Sequence, residues 1–231
     1  MSGLIELQQK LNYSFYDQDL LETALTHSSY TREKDKAVQC NERLEFLGDA
    51  FFDAIIGEEM YKSFPDKEEG FLSRIRATIV CEKSLSMKAE AFALGGYLKI
   101  GRGEEKTGGR NKPSILADTM EAIIGAVYLD GGFESAKAFV LDVFADVLED
   151  ARHGKYIVTD YKSALQELLQ SKGITQIKYI LTEESGPDHD KTFRVELHVN
   201  GKREAEGVGK TIKSAEQNAA EMALKGRENA I

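Results

Sequence analysis

The hydrophobic pattern of the chain changes its period between residues 150 and 160, and this change restricts the fold more than any other feature. Before it, apolar residues recur at helical spacing, with breaks at Phe64-Pro65-Asp66, Gly95-Gly96, 101–113 and Asp130-Gly131-Gly132. After it, one helical segment precedes three strand-like segments and a second helix. The sequence therefore predicts an all-α domain followed by an α+β domain of order α-β-β-β-α.

The second part carries the signals of a three-stranded sheet between two helices. Phe193, Val195 and Leu197 alternate with polar residues, as in a half-buried strand. Asn200-Gly201 predicts a two-residue hairpin turn. In chain order, the predicted helix, strands and helix cover 162–172, 177–184, 193–199, 203–208 and 214–225.

The charge of the chain is distributed unevenly along its 231 residues. The formal net charge is −9, which taken alone argues against a nucleic-acid partner. However, residues 1–159 hold 19 basic and 27 acidic side chains, whereas residues 160–231 hold 11 and 12. We expect a first, acidic domain over 1–150, a linker over 151–159 and a nearly neutral second domain over 160–228.

The composition also restricts the compartment. No stretch approaches the roughly 20 apolar residues that cross a bilayer, so no membrane partner is expected. The two cysteines, Cys40 and Cys81, cannot form a disulfide framework and fit a reducing environment. We therefore expect a cytoplasmic protein.

Three carboxylates share one stripe of the predicted helix that contains NERLEFLGDA, residues 41–50. At about 100° per residue, Glu42, Glu45 and Asp49 fall within an arc of about 60°. Leu44 and Leu47 lie on the opposite side. Acidic stripes of this kind are usually solvated faces, so this helix alone does not establish a site.

A second acidic pair strengthens the case. Asp118 and Glu121 stand three residues apart on another predicted helix, and Ala122 and Gly125 beside them allow a close approach of helices. If the two stripes face each other, five carboxylates converge and raise one another's pKa unless a cation is present. Oxygen ligands without His or Cys select Mg²⁺ or Mn²⁺. A metal site and two solvated faces remain open at this stage.

Several motifs resemble a known family. The segments NERLEFLGDA, ALTHSSY at 24–30, FPDKEEGFLSRIRA at 64–77 and SILADTMEAIIGAVYLDGG at 114–132 resemble the ribonuclease III catalytic domain. The α-β-β-β-α part, with GPDH at 186–189 and AEQNAA at 215–220, resembles a double-stranded-RNA-binding domain. The resemblance covers nearly the whole chain, in the domain order of the bacterial enzymes.

The resemblance implies a Mg²⁺-dependent endoribonuclease that cleaves double-stranded RNA as a homodimer formed through the catalytic domain. By this match Glu45, Asp118 and Glu121 ligate Mg²⁺, and Asp49 completes the network of ligands and water. Asp49 and Glu121 are expected to be essential for turnover. The outer acidic positions implied by the match are Glu42 and Glu69.

Phosphodiester hydrolysis suits this set of residues. Divalent metal stabilises charge at the phosphate and activates water near neutral pH. Two metals are expected, with products that carry 5′-phosphate and 3′-hydroxyl ends. Precursors of ribosomal RNA and some messenger and transfer RNA precursors are the substrates that the family implies.

The second domain is expected to read duplex RNA by shape, through 2′-hydroxyls and phosphates. Gln166 and Glu167 on its first helix can form hydrogen bonds with 2′-hydroxyls. The loop that contains Pro187 and His189 can enter a minor groove. Lys210 and Lys213 can contact phosphates near the start of the last helix. One position departs from the family, since Ile212 precedes Lys213 where a basic residue is usual.

Two other functions compete with the nuclease. A non-cleaving RNA-binding protein could use the same fold for dimerisation, but the intact acids disfavour it. A metal-dependent phosphohydrolase of small molecules is disfavoured by the RNA-binding domain. His27 and Cys40, although chemically capable, are interpreted as packed side chains.

Overall fold

A computed structural model describes residues 2–33, 38–153, 161–187 and 191–228. Contacts divide the chain into two compact units, Met1–Ile157 and Val158–Ile231. Each unit has its own buried apolar core. The two units correspond to the two hydrophobic periods of the sequence.

Over its described residues the first unit is helical, as predicted, apart from a β-bridge between Thr26 and Lys99. Among the described residues, no helix combines the length and the apolar character that a membrane crossing requires. Short 3-10 turns lie at Leu94–Gly96 and Gly109–Asn111. The helices are α1 (Ser2–Lys10), α2 (Gln18–Ala24), α3 (Ser28–Glu33), α4 (Glu42–Ser63), α5 (Glu69–Ile79), α6 (Glu82–Ala91), α7 (Arg102–Lys106), α8 (Pro113–Val143) and α9 (Ala145–Arg152).

Helices α4 and α8 share the most extensive contact in this unit and form the centre of its core. Apolar side chains of both helices are fully withdrawn from solvent, which is the main stabilising contribution of such a core. The largest of them are Phe52, Ile55 and Ile56 on α4 and Met120, Ile123 and Ile124 on α8.

Several boundaries differ from the sequence prediction. Apolar periodicity runs unbroken over 72–92, but the structure ends α5 at Ile79 and begins α6 at Glu82. The predicted break at Asp130-Gly131-Gly132 is a kink inside α8, where Gly132 has a φ of 78° that favours glycine. Helix α9 extends to Arg152, into the predicted linker, because Ala151 is buried in the core.

The second unit has the predicted order of elements. They are α10 (Tyr161–Ser171), β1 (Ile177–Ser185), β2 (Thr192–Val199), β3 (Lys202–Gly209) and α11 (Ile212–Glu228). The strands pair antiparallel in the order β1-β2-β3. Asn200 and Gly201 have φ values of 49° and 78°, as the predicted hairpin turn requires.

Both helices of this unit pack on one face of the sheet. Leu165 of α10, Leu197 of β2 and Ala219 of α11 meet in a single buried cluster. The small alanines of α11 allow the helix to lie close to the strands. The outer faces of the two helices therefore remain available on the surface of the unit.

Candidate functional site

Two glycines bring helices α4 and α8 into backbone contact. A β-carbon on Gly48 would overlap the carbonyl oxygen of Glu121, and one on Gly125 would overlap the carbonyl oxygen of Leu44. Only glycine permits an approach this close at these two positions. The acidic residues of the two helices therefore lie close together where α4 and α8 cross.

The helix crossing gathers three of the predicted acids. One carboxylate oxygen from each of Glu45, Asp118 and Glu121 lies within 4.8 Å of the others, and all three side chains are half-buried. Carboxylate oxygens gathered in this way are the kind of ligand that hard divalent cations take. The donors are carboxylates alone, so the residues present fit Mg²⁺ or Mn²⁺ rather than zinc.

The three carboxylates make an electrostatically unfavourable group. Burial is the largest cause of a raised pKa of Glu121, and together with the nearby charges of Asp49, Asp118 and Glu45 it brings this pKa to about 8. Burial also raises the pKa of Glu45, with additional effects from Asp118, Glu42 and Asp49. A bound cation relieves this repulsion, which is a physical reason to place one here.

Asp118 has a mixed environment. Burial raises its pKa, whereas His27 lowers it and Glu82 raises it. Glu82 begins α6, and neither Glu82 nor His27 was predicted to adjoin the acids. No sequence spacing could have indicated this, because each lies on a different segment and approaches Asp118 only through the tertiary fold.

The other predicted acids lie outside the group of three. Asp49 is exposed on α4 but close enough to affect Glu45 and Glu121. Glu42 is exposed and forms a long ion pair of 3.9 Å with Arg32. Glu69 begins α5 and accepts a hydrogen bond of 2.6 Å from the Ser73 hydroxyl.

A groove of about 930 Å³ adjoins the amino-terminal end of α4. Leu20, Val38, Leu44 and Leu129 are among its lining residues. Phe46 also lines it and projects into solvent with 79 % of its surface exposed. Exposed aromatic side chains next to apolar grooves indicate protein contact surfaces.

The predicted RNA-binding residues are only partly described. Gln166 is exposed on α10, and Lys210 and Lys213 are exposed where α11 begins. Ile212 between them is 44 % exposed and supplies no charge. Pro187 is described, whereas His189 and the side chain of Glu167 lie outside the described part of the structure.

The start of α11 is closed by a reciprocal pair of hydrogen bonds. The Ser214 backbone N–H donates to the Thr211 hydroxyl at 3.0 Å, and the Thr211 backbone N–H donates to the Ser214 hydroxyl at 3.1 Å. This cap fixes where the helix begins and so places Lys213 in its first turn.

Family models match both units. One described as ribonuclease-III-like matches residues 17–148, and one described as a double-stranded RNA binding motif matches residues 161–226. The chain is similar to "Ribonuclease 3" of Caldanaerobacter subterraneus, with 48% identity over 96% of each chain. It is also similar to "Ribonuclease 3" of Clostridium acetobutylicum, with 48% identity over 98% of this chain and 97% of that protein.

Solved structures are similar to the first unit. A crystal structure of the nuclease domain of ribonuclease III from Campylobacter jejuni has 44% identity and a TM-score of 0.59. The match covers 63% of this chain and 96% of that chain. A second structure of that domain, with 45% identity and a TM-score of 0.57, covers 61% of this chain and 94% of that chain. That second structure of the Campylobacter jejuni domain is reported to show structural flexibility in a region involved in dimer formation.

Proposed function

The chain belongs to the ribonuclease III family, and we propose that Glu45, Asp118 and Glu121 bind the divalent cation with which it hydrolyses double-stranded RNA. One observation supports the proposal. A carboxylate oxygen from each of these three half-buried side chains lies within 4.8 Å of the other two. Mg²⁺ is the proposed ion and Mn²⁺ its substitute, because hard oxygen donors bind both.

The protein residues position the cation, the water and the substrate, and the cation supplies the chemistry. When bound, the cation stabilises charge on the phosphate and lowers the pKa of the attacking water. Glu45, Asp118 and Glu121 hold it at the crossing of α4 and α8. We assign Asp49, exposed beside them, to orienting the water, and Glu42 and Glu69 to contacts farther along the substrate. The products then carry 5′-phosphate and 3′-hydroxyl ends.

One assay tests this assignment. The protein is incubated with a long RNA duplex in Mg²⁺, in EDTA, and in EDTA followed by excess Mg²⁺, beside a single strand of the same sequence. We expect endonucleolytic cleavage of the duplex only when Mg²⁺ is available, and fragments that a 5′-phosphate-dependent ligase can rejoin. Binding of the duplex without cleavage in Mg²⁺ would favour the non-cleaving alternative.

The raised pKa of Glu121 predicts that the Mg²⁺ concentration needed for cleavage depends on pH. With a pKa of about 8, this carboxyl holds a proton at lower pH that the cation must displace. The Mg²⁺ concentration for half-maximal cleavage should therefore rise by up to about tenfold for each pH unit below 8, and level off above it. Titrations at pH 6.5, 7.5 and 8.5 and constant ionic strength measure this, and a pH-independent midpoint contradicts it.

The second unit is a double-stranded-RNA-binding domain, and we propose that Gln166, Pro187, Lys210 and Lys213 contact the duplex. Lys213 is exposed in the first turn of α11, where a phosphate also meets the amino-terminal end of a helix. Glu167 and His189 remain predictions from the sequence.

Lys213→Ala should weaken binding to all duplexes alike, because a phosphate contact carries no sequence information. The slope of log affinity against log salt concentration should decrease by about one unit. Lys225→Ala is the matched control, since Lys225 lies at the far end of the same helix and forms an ion pair with Glu221. Equal affinities of the Lys213 variant and the wild type in a salt titration contradict the role.

We also propose that two copies associate through the surface around Phe46. A single patch that holds both a protruding aromatic ring and an apolar groove can pair with itself under twofold symmetry. In that arrangement Phe46 of each copy enters the groove of the other. Loss of such an anchor commonly costs at least about 2 kcal/mol.

Phe46→Asp should therefore raise the dimer dissociation constant by at least about 30-fold. Sedimentation velocity over a concentration series measures the constant. Tyr61→Asp is the control, because Tyr61 is 72 % exposed on the same helix but does not line the groove. If both variants sediment as the wild type does, the interface lies elsewhere.

We propose a cytoplasmic role in processing ribosomal RNA precursors and some messenger and transfer RNA precursors. Both cysteines are free thiols, in keeping with a reducing compartment. Accumulation of unprocessed duplex-containing precursors in cells that lack the protein is the result expected from this role.

A further inference from the structure

Lys162 joins the two helices of the second unit through both its side chain and its backbone. Its ammonium nitrogen lies 2.6 Å from a carboxylate oxygen of Glu216 and 4.7 Å from the centre of the Tyr179 ring. Separately, its backbone N–H donates to the side-chain oxygen of Gln217 at 3.1 Å. Lys162 lies at the start of α10, whereas Glu216 and Gln217 belong to α11. The two helices are therefore tied together twice by one residue.

Glu216 lies next to the lysine that we assign to phosphate binding. It follows Lys213 by three residues on α11, and residues three apart are neighbours on a helix surface. The Glu216 side chain remains partly exposed. Without compensation, its carboxylate would repel a phosphate that approaches Lys213 and would attract the Lys213 ammonium to itself. The start of α11 therefore needs a positive charge that neutralises Glu216.

The Lys162 ammonium is held where it meets this need. It is engaged by the Glu216 carboxylate and by the ring of Tyr179, which packs against the buried cluster of the unit. A cation above an aromatic ring is attracted to it, so the ring favours this placement of the ammonium. Lys162 therefore acts on the charge of Glu216 from α10, across the gap between the two helices.

We propose that Lys162 is a positioning residue for duplex binding, which neutralises Glu216 and so leaves Lys213 to a phosphate of the RNA. The inference rests on the proposed contact between Lys213 and the duplex. Substitution of the Lys162 side chain isolates the effect of its charge, because the backbone bond to Gln217 still ties α10 to α11.

Lys162→Met keeps much of the length of the side chain and removes its charge. We expect it to bind a duplex of about 20 base pairs about fivefold more weakly than the wild type. Lys162→Met combined with Glu216→Gln should bind within about twofold of the wild type, because the carboxylate that needs compensation is removed as well. Fluorescence anisotropy of a labelled duplex measures these affinities on the full chain in EDTA.

The same substitution in a Lys213→Ala background separates this role from a merely structural one. There Lys162→Met should cost less than about twofold, since the phosphate contact that it protects is already absent. A general loss of structure would instead cost the same factor in both backgrounds. Lys225→Met is the matched control and should bind as the wild type does, because it breaks another pair on α11, with Glu221, at the far end of the helix.

Lys213→Ala alone reports on the proposed function, because wild-type affinity of this variant would show that the phosphate contact itself is wrong. If Lys213→Ala weakens binding, three results overturn the inference. The first is wild-type affinity of Lys162→Met, and the second is an equal loss in both backgrounds. The third is a failure of Glu216→Gln to restore binding, which would make Lys162 a phosphate contact in its own right.

Circular dichroism establishes that each variant is folded. Should Lys162→Met fail to fold, Lys162→Gln provides the same comparisons, because its amide carries no charge and can still donate a hydrogen bond to Glu216. The same three results overturn the inference for that variant.

Discussion

Glu121→Gln should abolish duplex cleavage while making the metal-free protein more stable. The substitution keeps the size of the side chain and removes one of the three oxygens proposed to hold the cation. Loss of the charge stabilisation that a correctly held metal supplies, several kcal/mol, lowers the cleavage rate by about 10³-fold or more. Single-turnover cleavage at saturating Mg²⁺ measures the effect.

The stability part follows from the raised pKa of Glu121. The folded protein retains a proton up to about pH 8 that the unfolded chain releases near its ordinary value of 4.5. The wild type therefore loses stability as the pH rises between these values, whereas the glutamine variant does not. In EDTA the variant should unfold at a temperature higher by about 2–4 °C at pH 8, as expected for about 1 kcal/mol, and by less at pH 5.

Glu134→Gln is the matched control, because Glu134 is exposed on the same helix and outside the group of acids. Glu134→Gln should cleave at the wild-type rate, and its stability should depend on pH as that of the wild type does. Retained cleavage by the Glu121 variant would show that the metal is held elsewhere. If Glu121→Gln is less stable than the wild type in EDTA at pH 8, the Glu121 carboxylate is not destabilised by its acidic neighbours.

The fold was predictable wherever a local signal decides the structure. Alternation in 193–199 and the Asn200-Gly201 turn each act over a few residues, and the structure has the predicted strands and hairpin. The break between Ile79 and Glu82 was not predictable from the pattern, since the apolar periodicity continues across it. Likewise Gly132 bends α8 where the sequence predicts an end.

The site was predictable in part for the same reason. Helical spacing places Glu45 and Asp49 on one face, and it places Asp118 beside Glu121. Spacing within a helix cannot say which segments surround that face. The proximity of Glu82 and His27 to Asp118 arises from the packing of three separate segments, so it emerges only in the folded chain.

Gly48→Ala should damage stability and catalysis together. Its methyl group would overlap the carbonyl oxygen of Glu121, so α4 and α8 must separate. Overpacking of this kind costs about 1–3 kcal/mol, a decrease in melting temperature of about 3–10 °C. The displaced backbone carries Glu121, and a misplacement on the order of 1 Å can reduce turnover by about 10²-fold. Calorimetry and single-turnover cleavage measure the two effects.

Gly57→Ala separates this mechanism from a general effect of alanine in α4. A β-carbon on Gly57 meets only the side chain of Arg76, at 3.7 Å, which is an ordinary contact. Because alanine favours a helix over glycine, Gly57→Ala should raise stability by up to about 1 kcal/mol and leave cleavage unchanged. Gly125→Ala should behave like Gly48→Ala, because its methyl group would overlap the carbonyl oxygen of Leu44. If Gly48→Ala and Gly57→Ala are equally stable and active, close helix contact is not what assembles the acidic group.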